Sequence, residues 1–246
     1  MNYISPLDTS RFGFKIAKFN ESKLLEYETL LKLKRDDVKL VISRVPSDDI
    51  ALINRMEDWG YRIKDVQLTY KFDLHRNDIQ YQYLNEDLIV RDALPKDIDK
   101  LRIIAEDCFW NYGHYFADKN LDKNNCMEVY KDWTQRAVMD KAVAEKMFVA
   151  EKNDEVIGYL FFRINELNQK RYAYSGLGAV YSQSRGKNVF STLCIRSLEW
   201  GKSQNHDWQE HNVLNINYPV NKVFAKLGFS NYKSETTLHL WLEDFK

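Results

Sequence analysis

Apolar residues alternate with polar ones over residues 13–20, GFKIAKFN, where Phe14 and Ile16 fall at strand spacing. Asn20 is placed to cap a helix through ESKLLEYETLLKL, in which Leu24, Leu25, Tyr27 and Leu31 recur at helical intervals. KLVISRV, residues 39–45, reads as a second strand. Ser47, Asp48 and Asp49 then start a helix, with carboxylates at the positive end of its dipole, and that helix stops at Gly60. RIKDVQLTYKFDL alternates as a third strand, so the first third of the chain predicts a β-α-β-α-β unit.

The polar stretch 75–87 lacks a clean period and marks a boundary. Beyond it, DLIVRDAL predicts a strand, and Pro95 sits at the first turn of a helix through PKDIDKLRIIAEDCF. An irregular aromatic segment, FWNYGHYFADKN, separates this helix from an amphipathic one that carries Met127, Tyr130, Trp133 and Val138. KMFVAEKNDEVIGYLFFRIN predicts two strands joined at Asn153–Asp154, which has the chemistry of a hairpin turn. KRYAYSGLGAVYS is a further strand, and SRGKNVFSTLCIRSLEWGKS a loop entering a long helix. HNVLNIN predicts a strand, PVNKVFAKLGF a helix and SETTLHLWL a closing strand.

Residues 54–61 and 222–229 each end a helix on Gly plus an aromatic and then enter a strand. A left-handed cap explains each glycine alone, whereas the shared order of elements suggests that the first third is a shortened copy of one half-domain. The expected organisation is a half-domain over residues 1–78 and a larger α/β domain over 86–246.

Composition narrows the partners. With 246 residues, 44% hydrophobic and 14% aromatic, the chain can bury a core and is not a disordered segment. Basic and acidic residues balance at 36 each, and no basic stripe stands out, which argues against nucleic acid as partner. The opening residues have no charged and apolar pattern of a signal peptide, and no apolar run is long enough to span a bilayer, so a cytoplasmic protein without membrane contact is expected. Three cysteines with no metal-ligand spacing read as thiols in a reducing compartment, and no metal is expected. Glycine occurs nine times, about half the usual share, so each one answers a local backbone demand.

The segment that carries chemistry is 178–190. Apolar residues before Gln183 belong to a strand and those after Asn188 to a helix. A tight loop between a strand and a helix start presents unpaired N–H groups beside a positive dipole end, which suits a pyrophosphate. Gly186 lets the backbone approach, and Arg185 and Lys187 add charge. The same residues also fit an ordinary strand-helix connection with basic side chains at the surface.

Gln183 to Asn188 resembles the coenzyme-A motif of the GNAT N-acyltransferases, Gln/Arg-x-x-Gly-x-Gly/Ala, with Asn188 replacing the last small residue. The order that follows is similar too: a strand, Asn217, a helix, then Leu227-Gly228-Phe229. The resemblance covers residues 88–242 and implies a GNAT fold, a mixed central sheet flanked by helices, with acetyl-CoA or another acyl-CoA as donor. It implies that Gly178, Ala179 and Val180 pair their backbone with the pantetheine arm, where two parallel strands splay apart. It implies further that the amides from Arg185 through Gly186, Lys187, Asn188 and Val189 to Phe190 hold the pyrophosphate, and that Asn217 bonds the arm. Val180 would offer its N–H to the oxyanion.

Many family members carry a proton-donating Tyr seven residues after that Asn. Here the position is Phe224, which leaves Tyr218, Tyr181 or water as the acid. The segment 10–14 together with 114–118 is similar to bacterial nucleotide-sugar N-acetyltransferases. That likeness implies an amino-sugar acceptor lined by His114, Tyr115, Phe116 and Asp118, with Glu166 as a further candidate base. Each of these five also fits a plain structural role: a packed histidine, a turn-capping aspartate, a solvated glutamate.

Other readings stay open. Catalysis could be absent, leaving an acyl-CoA-binding module, and the amine could be a polyamine, an aminoglycoside or a protein N-terminus. Self-pairing as a homodimer is also open. The GxG of 176–178 would suit a dinucleotide site only at the start of a helix, whereas the strand runs on through it.

Overall fold

The computed structural model describes residues 3–19 and 26–246. The expected Asn20 cap lies outside them. The elements are α1 (Pro6–Phe12), β1 (Ile16–Phe19), α2 (Tyr27–Arg35), β2 (Leu40–Pro46), α3 (Ile50–Asp58), β3 (Arg62–Asp73), β4 (Ile89–Asp92), α4 (Ile98–Phe109), α5 (Gly113–Phe116), α6 (Lys123–Met139), β5 (Lys146–Lys152), β6 (Glu155–Leu167), β7 (Lys170–Val180), α7 (Val189–Ser203), β8 (Trp208–Leu214), α8 (Tyr218–Lys226) and β9 (Ser230–Trp241). The β-α-β-α-β order of the first third is present. Helix α1, started by Ser5 and Pro6, was not evident from apolar spacing.

Contacts divide the chain into two compact units that interleave in sequence. One comprises residues 1–68, 111–128 and 233–246, the other 69–110 and 129–232. The polar stretch 75–87 therefore belongs to the second unit.

In the first unit β1 runs parallel to β2, and β2 antiparallel to β9. One face of these strands packs Ala17, Val41, Val45, Leu238 and Leu240 against Leu30, Leu52 and Met56 of α2 and α3. Helix α3 starts on Asp49, whose carboxylate accepts the Leu52 N–H at 3.1 Å, while the Ser47 hydroxyl turns instead to Thr236.

The second unit is mixed, in the order β8-β7-β6-β5-β4: β4 to β7 are antiparallel neighbours and β8 is parallel to β7. Asn153 and Asp154 take left-handed backbone angles (φ 51° and 63°), as the hairpin between β5 and β6 requires, and Asn168 and Gln169 repeat the device between β6 and β7 (φ 51° and 63°). Phe162 and Phe148 of the sheet pack on Trp200 of α7, while Thr134 of α6 bonds the Tyr159 hydroxyl on the opposite face.

The resemblance between 54–61 and 222–229 extends to hydrogen bonds. Tyr61 N–H reaches Met56 O and Gly60 N–H reaches Glu57 O. Phe229 N–H likewise reaches Phe224 O, and Gly228 N–H reaches Ala225 O. Both are the same helix-ending motif, with its following aromatic buried.

Four of the five histidines carry pKa values below the ordinary 6.5. For His211 burial pushes it down to about 3, and for His114, His206 and His239 burial is again the leading cause. A histidine held neutral in the fold but protonated in the unfolded chain favours unfolding at acid pH, so stability is full above about pH 6.5 and falls as pH drops towards the folded value. Each such group contributes a slope of up to about 1.4 kcal/mol per pH unit in that window. Denaturant midpoints are therefore expected to fall steadily from pH 7.5 to 5. A flat profile over that range would show that these imidazoles titrate freely.

Candidate acyl-transfer site

Strands β7 and β8 begin side by side and then separate. Their parallel pairing covers Tyr172 with Trp208, Ala173 with Gln209 and Tyr174 with Glu210. Beyond that point β7 continues to Val180 and β8 to Leu214, while β7 stays paired with β6 as far as Val180. The register of β6 and β7 shifts between Leu160 and Phe162, where β7 carries an extra residue at Gly176–Leu177. A β-carbon on Gly176 would lie 1.8 Å from the Phe161 ring, so glycine is what lets that ring cover the bulge.

Alternation fixes which backbone groups face the gap. Tyr181 N–H bonds Ile157 O at 2.8 Å, so Ala179, two residues back, also bonds β6, while Gly178 and Val180 turn their N–H and C=O groups outward. This corrects the expectation for Ala179, whose backbone is spent on β6. The Val180 carbonyl accepts from Cys108 Sγ at 3.1 Å and from Arg185 Nε at 3.3 Å.

The loop after β7 is held at several points. Asp107, at the end of α4, accepts both the Ser182 N–H (2.7 Å) and its hydroxyl (2.9 Å). Asn85 Nδ2 donates to the Lys187 carbonyl at 2.9 Å, and Asn85 N–H to Thr192 Oγ1. Gly186 and Asn188 both adopt left-handed angles (φ 77° and 56°). Asn188 thus does what the missing small residue would do, since asparagine tolerates this region better than other side chains. It does so without capping α7, so the first-turn amides of Val189 and Phe190 have no side-chain cap.

The Arg185 guanidinium folds back onto Val180 O and Cys108 Sγ (3.4 Å), and Lys187 Nζ lies 3.5 Å from Gln183 O. Their charges border the loop. Burial raises the Cys108 thiol pKa, against the lowering effect of Arg185. Asp107, Cys108 and Asn85 had no signal in the sequence, because their roles depend on contacts with residues 72 to 107 positions away.

Asn217 starts α8 and accepts the Val220 N–H at 3.4 Å through Oδ1. Strand β8 ends earlier than the expected 217, at Leu214, because residues 215–217 turn into this cap. Tyr218, the first helical residue, is 67% exposed. Phe224 is buried between Tyr70, Phe190, His211 and Phe229. A tyrosine there would place its hydroxyl among rings. Phe224→Tyr is therefore expected to lower stability by about 1–3 kcal/mol without raising turnover. Thermal melts beside steady-state rates check this, and a faster enzyme of unchanged stability would contradict it.

Glu166 is exposed and pairs with Arg171, eight residues along β6 from Gly158 and so roughly 26 Å from Val180. It lies far from the Val180 end of the strand edge, but its partner Arg171 is only three residues from Tyr174, where β7 and β8 part.

His114, Tyr115, Phe116 and Asp118 belong to the first unit, and there they are engaged with one another's neighbours. Asp118 Oδ2 accepts from His239 Nδ1 at 2.7 Å and from Trp241 Nε1 at 3.2 Å, and His239 Nε2 meets His114 Nδ1 at 2.9 Å. The Tyr115 hydroxyl donates to Asp8 at 2.9 Å and accepts from Lys18 at 2.6 Å. Burial alone would raise the Asp118 pKa, but the His239 hydrogen bond and the Asn120 N–H outweigh it and hold the carboxyl well below its usual range. Tyr115, Phe116 and Asp118 are at most 7% exposed, so they form an internal network rather than an open lining. His239 closes that network, and from sequence it was only a strand residue.

A strand parting from its parallel neighbour beside a helix start without a side-chain cap gives this α/β unit a cleft between two strands. A family model for the acetyltransferase (GNAT) family matches residues 103–229, and the chain belongs to that family. Its members move an acyl group from acyl-CoA to an amine. Among solved structures, a conserved protein of unknown function from Staphylococcus epidermidis aligns with TM-score 0.60 and 12% identity, over 97% of this chain and 90% of that one. A tandem GNAT protein from the clavulanic acid biosynthesis pathway aligns at 0.60 and 15%, over 87% and 68%. A GCN5-related N-acetyltransferase from Sphaerobacter thermophilus aligns at 0.59 and 13%, over 87% and 65%. At these identities the likeness is one of fold. No curated protein matches the sequence significantly. Among the described residues there is no cluster suited to a metal and no helix long and apolar enough to cross a membrane.

Proposed function

We propose that this chain transfers an acetyl or other short acyl group from acyl-CoA to a primary amine. The observation that carries the reading is the end of β7–β8 pairing at Tyr174–Glu210, with the outward amides of Gly178 and Val180 leading to the uncapped start of α7. The edge from Tyr174 to Val180 is roughly 20 Å long, comparable to an extended pantetheine chain. On this reading the arm lies along that edge as an added strand. The amides from Gly186 to Phe190 hold the pyrophosphate, and Asn217 Nδ2, left over from capping, bonds the arm. Bound there, the donor supplies a thioester open to attack by a neutral amine.

The Gly178 and Val180 N–H groups are the candidates to bind the developing oxyanion. Phe224 contributes packing rather than a proton, and the exposed Tyr218 hydroxyl is the remaining candidate acid on α8. Residues 86–246 would be the catalytic domain and 1–78 a shortened copy of its fold, in a cytoplasmic protein.

As acceptor we propose a nucleotide-linked amino-deoxy sugar, on the likeness of 10–14 and 114–118 noted above. The internal bonding of Tyr115 and Asp118 weakens that support, so the acceptor is best decided by competition. Calorimetry with acetyl-CoA tests the donor site. Free-thiol release and product mass, with TDP- and UDP-linked amino sugars beside polyamines, aminoglycosides and peptide N-termini, test the acceptor. Absence of acetyl-CoA binding would end the proposal. Binding without thiol release would favour the non-catalytic module, and turnover confined to another amine would displace the sugar.

A further inference from the structure

The two sheet faces of the first unit differ in kind. Ala17, Val41, Val45, Leu238 and Leu240 turn to α2 and α3, so alternation sends Lys18, Arg44, Thr237 and His239 to the other face. Register makes them neighbours: Arg44 stands opposite Thr237, while Ile42, beside Lys18, stands opposite His239. Charge on a half-buried face is costly unless it is matched, and Lys18 is matched by Asp8, which Arg11 also approaches at 3.8 Å. Arg44, half-buried, is not matched. Its Nε donates to Thr237 Oγ1 at 3.1 Å and its Nη1 to Gln67 Oε1 at 3.0 Å, both neutral. No carboxylate among the described residues pairs with it.

On the same face His114 is oriented from behind. The ionised Asp118 carboxylate only accepts, so the proton of their 2.7 Å bond sits on His239 Nδ1. Burial outweighs the Asp118 contact and keeps His239 neutral, which leaves its Nε2 a lone pair to accept from His114 Nδ1–H at 2.9 Å. His114 is neutral too: burial is the leading cause, and His239, Arg44 and Lys18 oppose its protonation further. Its Nε2 therefore presents a lone pair. Neither His114 Nε2 nor Arg44 Nη2 has a hydrogen-bond partner among the described residues, and neither is sealed from solvent. The Lys18 side chain is 33% exposed beside them.

We propose that Arg44, Lys18 and His114 form a binding site for a phosphate group, free or carried as a monoester by a small molecule. The spare edge of the guanidinium and the ammonium donate to phosphate oxygens. A protonated phosphate oxygen donates in turn to His114 Nε2. A carboxylate at neutral pH only accepts and has no proton to give that nitrogen, so the three groups together suit a phosphate better. Bound there, the anion supplies the counter-charge that Arg44 lacks. All three side chains belong to the first unit, so the inference is independent of the acyl-transfer reading.

The test titrates wild type, Arg44→Gln and Gly186→Val with inorganic phosphate, uridine monophosphate and succinate, by calorimetry at one ionic strength. Phosphate or the nucleotide is expected to bind wild type and to lose about tenfold or more in affinity in Arg44→Gln, as for a lost charge-assisted hydrogen bond. Gly186→Val should keep that affinity, and the tighter of the two ligands tells a free phosphate from an ester. Loss in Gly186→Val instead places the anion on the loop before α7 and overturns the site. So do equal affinities in all three chains, absence of binding, or succinate binding more tightly than both. Melting temperatures give a second readout. Arg44→Gln, rid of an unmatched charge, should melt no lower than wild type in chloride but below it in phosphate, because only wild type gains from the bound anion. A loss of the same size in both salts marks a purely structural arginine and overturns the proposal. If Arg44→Gln fails to fold, Arg44→Lys, which keeps the charge but not the fork, takes its place, with weakened phosphate binding expected and unchanged affinity overturning the site.

Discussion

Valine in place of Gly186 is expected to raise the KM for acyl-CoA by tenfold or more, with kcat at saturating donor little changed. Two effects combine. Gly186 holds φ 77°, and a β-branched residue there costs about 1–2 kcal/mol of backbone energy or pulls the loop out of shape. A β-carbon at this position meets nothing within 4 Å, so the side chain would project into open space beside the loop, where the phosphates are proposed to sit. The free protein should therefore fold while the donor is excluded. Calorimetric affinity for coenzyme A, measured with kcat and KM, checks this. A variant with native donor affinity would show that the anion is held elsewhere.

The second large effect is expected at Gly176. A β-carbon there lies 1.8 Å from Cε2 of Phe161 and 2.5 Å from its Cζ, closer than any tolerated contact, and the ring is 1% exposed with Trp133 at its edge. Gly176→Ala should destabilise the protein by about 3 kcal/mol, at the upper end for overpacking. Because the clash is with a side chain, Phe161→Leu in the same chain should restore part of the loss. Urea unfolding of the two single variants and the double variant measures the coupling. Strict additivity would show that the bulge, rather than the ring, demands glycine. Either substitution also disturbs the strand edge leading to Gly178, so donor affinity should fall along with stability.

Much of the site was visible in the residues themselves. The strand-loop-helix order around Gln183 to Asn188 is local, and so is the readiness of Asn188 for a left-handed angle. Asn217 was read as the end of a strand, and its role as the cap of α8 came from the structure. The Phe224 substitution was plain, but its surroundings were not: only the structure shows it buried in a cluster of rings. Ala179 illustrates the reverse error. Three consecutive strand residues look equivalent in sequence, yet a paired strand gives alternate residues to each neighbour, and Ala179 falls to β6. Glu166 was chosen for its residue type, and the structure leaves it exposed beside the turn between β6 and β7.

What the sequence settled by itself are features governed by neighbours a few positions away: helical and strand periods, the turn at Asn153–Asp154, and the paired helix endings at Gly60 and Gly228. Backbone angles and short hydrogen bonds decide these before any long-range contact forms. Tertiary structure alone decided where β7 leaves β8, that Asp107 and Asn85 hold the loop, and that Asp118 is tied to His239. Each of those depends on which distant segments meet, and that follows from the summed burial of apolar faces, a quantity no local pattern carries.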